Sequence, residues 1–418
     1  MIDKNIGSAK DNMNSTIHNW YKFTAGFSYK FVDVIIEGLS NTPNCIYEPF
    51  AGCGTTLVEA QKLGIHSIGN ESQRLMCDII DAKLNWDIDA EAVSSYLEDM
   101  TSVDCRDYLG RATVNIHPLI QSLFDDDSVN VIYYLRDYIR KISDEKIRLF
   151  LNLALSQALH KIAIHPIAVP YISRSKTLMN SGDAMGKFLS IALRMLSDLH
   201  DLPCHHRCAK VYNHDSRKKN VDIASGECDL CITSPPYLNN LDYGEVSKVH
   251  THFFEYTKDW NDITQKVRHD LVTGATTHYK DSEFNLAEFE KSEFVMNNIK
   301  LYSELRTRFD QIKENARVRS GKKSFHILMM LYFQDMYYVL MEMRRVLKPK
   351  SHAFLILGDS APYGIHIPTT QFLGEIAQSV GFGDYEIFKI RSRGNKWKSL
   401  SNRHNIELSE NILDLSLS

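Results

Sequence analysis

The sequence predicts a doubly wound α/β sheet interrupted by two helical insertions. Three observations carry this reading. A strand, a glycine turn, a helix, a second strand and an acid follow one another over residues 45–71. Strand character returns at 209–212, 229–233 and 353–357. Between those strands the apolar residues recur at helical spacing.

Each element can be justified in order. Phe27, Phe31, Val34 and Ile35 recur at helical spacing, and Pro43 follows that helix. The strand Cys45-Ile46-Tyr47 runs into Glu48-Pro49-Phe50-Ala51-Gly52-Cys53-Gly54-Thr55-Thr56. Residues 57–63 read as a helix that Gly64 ends. Residues 65–69 read as a second strand that closes on Asn70-Glu71. This is the opening of a doubly wound sheet. From about 87 to 201 the periodicity is helical, as in Ile147, Phe150, Leu151, Leu155 and Leu159. A second, mixed-charge stretch ends in an apolar, aromatic helix around 327–346. The expected organisation is one α/β domain built from residues 1–86, 205–244 and 346–418. Helical insertions fill 87–204 and 245–345, and target recognition is open to either.

Composition bounds the function. The 418 residues are 44% hydrophobic and 24% charged, enough for a large core and unlike a disordered chain. A formal net charge of −4 excludes a globally basic coat, though not a local basic groove. No stretch approaches the roughly 18–20 apolar residues that span a bilayer. The polar start lacks the apolar middle of a signal peptide. Eight scattered cysteines suit a reducing, cytoplasmic setting.

Two segments carry chemistry. Gly52 and Gly54 stand two residues apart, between a strand and a helix, where the backbone must turn sharply and let a ligand approach. Glu71, at the end of the next strand, can accept hydrogen bonds from both hydroxyls of a ribose. There is no third glycine in dinucleotide register and no Gly-Lys-Ser/Thr. A nucleoside without a pyrophosphate therefore fits better than NAD or ATP. The second segment is Ser234-Pro235-Pro236-Tyr237, straight after a strand. Two prolines cannot continue a central strand, so the chain leaves the sheet as a rigid extension at its ligand-binding end. The Ser234 hydroxyl and the Pro235 carbonyl can accept hydrogen bonds from an amino group, and Tyr237 offers a face for stacking.

Together these motifs resemble the amino-methylating DNA methyltransferases. Their cofactor motif Phe-x-Gly-x-Gly is matched by Phe50, Gly52 and Gly54, and their Asp/Asn/Ser-Pro-Pro-Tyr motif by Ser234 to Tyr237. Glu48-Pro49 and Thr55-Thr56 look like the longer form of the first motif. Leu238-Asn239-Asn240-Leu241-Asp242-Tyr243 looks like one subgroup's continuation of the second. Phe27-Ser28 resembles the extra cofactor-binding motif and Asn213-His214-Asp215-Ser216 the third-strand acid motif. Val346-Leu347-Lys348-Pro349 and Leu357-Gly358-Asp359-Ser360 resemble a later helix end and strand. Arg393-Gly394-Asn395-Lys396-Trp397 resembles the C-terminal tail. The likeness covers roughly 20–85, 209–245 and 340–405.

The resemblance implies a Rossmann-like sheet that binds S-adenosylmethionine (SAM). It implies cofactor contacts from Phe27, Ser28, Pro49, Phe50, Gly52, Gly54, Thr55, Thr56, Glu71 and Asp215. It implies double-stranded DNA as substrate, with the target base extruded and Ser234, Pro235, Pro236 and Tyr237 at the reacting amino group. Ser before Pro-Pro leans toward cytosine N4, with adenine N6 and, further off, RNA methylation as alternatives. The implied setting is restriction–modification or a related host modification, beside a cognate endonuclease with no direct contact implied.

Among 387–406 there are six Lys/Arg and no acid. Arg391, Arg393, Lys396 and Lys398 are the expected phosphate contacts. Pro203-Cys204 matches the dipeptide of carbon-5 cytosine methylation, but it is followed by His205-His206-Arg207 and would leave Ser234 to Tyr237 unexplained. Cys204, Cys208 and the Cys228-x-x-Cys231 pair have zinc-like spacing. Core thiols are the expected reading, and no metal is expected.

Overall fold

The structure is a computed structural model of the 418-residue chain. It describes all residues except 1–5, 24, 106, 112–114, 168–170, 179–181, 201, 203–207, 240, 320–322, 394–405 and 418. Strands β1 (Cys45–Glu48), β2 (His66–Glu71), β3 (Ala209–Asn213), β4 (Cys228–Thr233), β5 (Leu347–Gly358), β6 (Tyr385–Arg393) and β7 (Leu408–Ser416) form a sheet in the order β3-β2-β1-β4-β5-β7-β6. β1 to β5 are parallel, and β7 enters antiparallel between β5 and β6. The expected Rossmann-like α/β fold is what forms. The chain moves from β1 out through β2 to β3, then returns to β4 on the other side. Strand order therefore reverses between β1 and β4, and the crevice beyond their C-terminal ends is the ligand position of such sheets.

The period-two alternation of side chains explains how both faces are covered. Ile46, Leu230, Ile232, Ile356 and Ile412 share a core with Phe31 and Val32 of α1 (Tyr29–Gly38). Tyr47, Cys231, Leu355 and Leu413 share another with Leu328, Tyr332 and Met336 of the helix Phe325–Val346. That helix is the apolar, aromatic end of the 245–345 stretch, and it packs on the sheet itself. Helices Asp126–Ile139, Glu145–Ile162 and Ala184–His200 pack instead with α2 (Thr55–Lys62) and α3 (Arg74–Leu84) in a third core. Among the described residues no helix is long and apolar enough to cross a membrane.

Helix α1 starts after Ser28, whose Oγ accepts from the Lys30 backbone N–H at 3.3 Å. Helix α2 starts at Thr55, two residues earlier than its apolar pattern, because Gly54 at φ +84° is its N-cap. The hairpin of β6 and β7 was not legible as strands. β6 is an edge strand that exposes Glu386, Ile387, Phe388 and Lys389 in succession, so it has no alternation to read.

Candidate active site

The glycine loop and the Ser234–Tyr237 segment leave adjacent strands at the point where strand order reverses. One buried carboxylate ties them together. Glu48 closes β1, and its oxygens accept from the Phe50 N–H at 3.0 Å and from Thr56 Oγ1 at 2.8 Å. Thr233 Oγ1, the last residue of β4, donates to the same carboxylate. Burial outweighs these donors and pushes Glu48 up to about 8. Within the loop Gly52 has φ +55°, and a Cβ there would press on the Phe23 ring at 3.3 Å.

Glu71 ends β2 beneath this loop. Its Oε2 accepts from the Gly52 N–H and its Oε1 from the Gln73 N–H, both at 2.8 Å. Burial pushes Glu71 up to about 7, against the pull of these backbone donors. Asp215 follows β3. Its burial would raise it, but Arg217 Nε at 2.9 Å and Lys218 Nζ at 3.1 Å hold it below the ordinary carboxylate range. Ser216 Oγ donates to the Pro49 carbonyl.

These groups border a cleft of about 760 Å³. Of the expected cofactor residues, Phe27, Pro49, Phe50, Gly52, Thr55, Glu71 and Asp215 line it, joined by Ser234 and Pro236. Three others stand behind its wall. A Cβ on Gly54 would meet Ile80 Cγ1 at 3.1 Å, not the cleft. Thr56 spends its hydroxyl on Glu48. Ser28 caps α1 and donates to Asp11 Oδ2 at 2.9 Å. Asp270, Leu271 and Val272 supply a wall that sequence reasoning missed. Asp242 anchors their segment, pairing with Arg268 Nη2 at 2.6 Å and accepting from Thr277 Oγ1 at 2.7 Å. Arg217 Nη2 adds a bond to the His269 carbonyl at 2.7 Å.

A second cleft, of about 1170 Å³, adjoins the first. Phe23, Ala25, Gly26, Ser234 and Tyr243 line both. Ser234 Oγ donates to the Ile356 carbonyl at 3.1 Å, which commits its proton and leaves the oxygen as an acceptor. Tyr237 lines the second cleft, while Pro235 is buried and lines neither. Arg391 and Arg393 reach this cleft from β6. Arg391 Nε pairs with Glu410 Oε2 at 2.6 Å, and the Arg393 guanidinium lies over the Tyr237 ring, 5.1 Å from its centroid. Lys396 and Lys398 lie outside the described residues, as do Cys204 and its neighbouring histidines. Cys228 and Cys231 are buried in β4, and Cys208 Sγ donates to the Ile65 carbonyl at 3.2 Å. Glu410, Phe23 and Gln73 carried no sequence signal. Glu48 and Tyr243 lay inside quoted motifs without an assigned role.

Comparison with known proteins agrees with the motifs. The family described as DNA methylase, of the N6/N4 type, matches residues 4–82, from the leader through the glycine loop and Glu71. The Type II methyltransferase M.BsoBI of Geobacillus stearothermophilus is 21% identical over 453 aligned positions, covering 98% of this chain and 87% of that protein. The Type II methyltransferase M.AvaI of Nostoc sp. strain PCC 7120 is 22% identical over 423 positions, covering 94% and 85%. Residues 4–82 thus match the DNA methylase family of the N6/N4 type, and nearly the whole chain is similar to Type II methyltransferases.

Proposed function

We propose that the protein is a Type II modification enzyme that transfers the methyl group of SAM to the N4 amino group of an extruded cytosine in double-stranded DNA. The observation that carries this reading is the position of Ser234 on the wall common to both clefts. A group that must align a methyl donor with an amino acceptor has to face both.

The first cleft suits SAM. Glu71 keeps lone pairs free after serving Gly52 and Gln73, so it can accept from ribose hydroxyls. The flexed loop at Gly52 lets the nucleoside approach, and Phe27, Phe50 and Met76 supply apolar surface. When bound there, SAM supplies an electrophilic methyl on a sulfonium.

The chain's own residues then do the rest. An exocyclic amino nitrogen is a poor nucleophile because its lone pair is delocalised into the ring. Ser234 Oγ, with its proton held by Ile356, accepts a hydrogen bond from that amino group and draws the nitrogen toward tetrahedral geometry. Tyr237 offers the extruded base a stacking face. Proximity and orientation account for much of the acceleration. Lys10, Lys22 and Arg393 on the second cleft suit the phosphates of the strand that carries the base.

Mass spectrometry of digested DNA from cells expressing the chain tests the proposal. N4-methylcytosine at one short motif is expected. N6-methyladenine alone would overturn the base assignment. Neither base, with labelled methyl groups on RNA, would overturn the DNA reading.

A further inference from the structure

The β6–β7 hairpin holds a buried cluster that no motif announces. Glu410 on β7 is 2% exposed, yet its carboxylate borders the second cleft. Glu410 pairs in register with Gly358 of β5 on one side and with Arg391 of β6 on the other. Its Oε1 accepts from the Tyr237 hydroxyl at 3.2 Å, and its Oε2 faces Arg391 Nε at 2.6 Å. Arg393, two residues on, lays its guanidinium over the Tyr237 ring. Gly358 makes room for this. A Cβ there would collide with Arg393 Nη1 and touch Tyr237 Cε2 at 3.4 Å. Gly7 does the same above Glu410, where a Cβ would collide with the carboxylate. Two glycines, two arginines and a carboxylate from four chain segments thus converge on one tyrosine.

We propose that Glu410 is a positioning residue for the Tyr237 ring, fixing by its carboxylate the plane against which the extruded base stacks. The inference rests on the reading of Tyr237 as the stacking surface. A phenol ring on the rigid Pro-Pro segment can still turn about its own side-chain bonds. A hydrogen bond at its far edge removes that freedom, and the Arg391 pair in turn holds the carboxylate. Arg393 supports the same ring through a cation–π contact. A buried carboxylate is costly unless paired, and here one oxygen accepts from Tyr237 while the other is ion-paired with Arg391. The hairpin is therefore part of the target-base site even though its strands lie at the far side of the sheet from β1.

The test uses the full chain, labelled SAM and amplified genomic DNA, which carries every short site and no methyl groups. Tyr237→Phe keeps the ring and removes the hydroxyl. Glu410→Leu keeps the bulk and removes the acceptor. Each is expected to lower kcat at saturating DNA by about tenfold, the scale of one net hydrogen bond, with the dissociation constant for SAM unchanged. The double variant should be no worse than the poorer single, since both changes break one contact. Losses that multiply in the double variant would overturn the proposal, because Glu410 would then act elsewhere. Wild-type kcat in both singles, beside a crippled Tyr237→Ala, would also overturn it while leaving the stacking reading intact. A Tyr237→Ala variant as active as wild type would remove the stacking reading and the proposal with it. If Glu410→Leu fails to fold, Tyr237→Phe and Tyr237→Ala still decide the matter.

Discussion

Replacing Glu71 by glutamine is the sharpest perturbation of the first cleft. A carboxylate offers about four lone-pair sites. The backbone N–H groups of Gly52 and Gln73 take two of them at 2.8 Å each, and the Ser72 backbone adds a smaller contact, which still leaves room for hydroxyls of a bound ribose. An amide turns one of those oxygens into a donor aimed at a backbone N–H, and it removes the charge. A hydrogen bond to a charged group contributes about 1.5–3 kcal/mol net, so SAM affinity should fall about 10- to 150-fold. The pH dependence gives a second arm. Burial pushes Glu71 up to about 7, and the ionised form is the one that accepts from both hydroxyls. Binding therefore favours ionisation and releases a proton. Affinity should rise with pH up to about 7 and lose a factor of about ten for each unit below it. Between pH 8 and pH 5.5 the wild-type affinity should fall roughly 30-fold, whereas Glu71→Gln should be flat. Calorimetric titration with SAM across that range measures both. Wild-type affinity independent of pH, or a variant that follows the wild-type curve, would refute the assignment of Glu71 to the ribose.

Four further outcomes are expected. Ser234→Ala should lower kcat about tenfold in single-turnover assays, because the amino nitrogen loses an acceptor, while SAM affinity holds. Glu48 has its folded pKa raised from 4.5 to about 8, so its contribution to stability is full below about 4.5 and is lost as pH rises toward 8. Thermal melts should show the wild-type Tm falling between pH 5 and pH 8, with a smaller fall for Glu48→Gln. Asp242→Ala breaks a buried pair with Arg268 and should destabilise by about 3–5 kcal/mol, and hydrogen exchange should quicken at 268–278. Replacing Lys10 and Lys22 by alanine should flatten the slope of log DNA affinity against log salt by about 1.8, at ~0.9 for each phosphate contact.

The parts of the site that were legible in sequence are those made by neighbours along the chain. Gly52, Glu71 and Ser234 each stand at the end of a strand with a conformational reason for being there. The doubly wound pattern puts all three at or just beyond the carboxyl ends of sheet strands. Motif membership could not separate lining from support. Gly54, Thr56 and Ser28 sit in the same motifs, but their environments are Ile80, Glu48 and α1. The illegible parts are made by distant pairing. Glu410 lies 173 residues beyond Tyr237, on a strand whose partner exposes four successive side chains. Asp270 to Val272 reach the first cleft only because Asp242 and Arg217 hold their loop. Nothing local marks such a wall.

The two clefts are built with different degrees of independence. Glu48 joins the glycine loop to the last residue of β4, so the wall proposed to face SAM and the wall bearing Ser234 are tied through one side chain. On the proposed reading, that union sets the spacing of the two walls before either ligand arrives, which is what orientation-driven transfer needs. The second cleft is assembled instead from the leader at Gly7 to Met13, the Tyr237 turn and the β6–β7 hairpin. Its parts meet through side chains, chiefly Glu410, Arg391 and Arg393. Substitutions in the hairpin should therefore change how a base is held without changing how SAM is held. Substitutions at Glu48 should disturb both together.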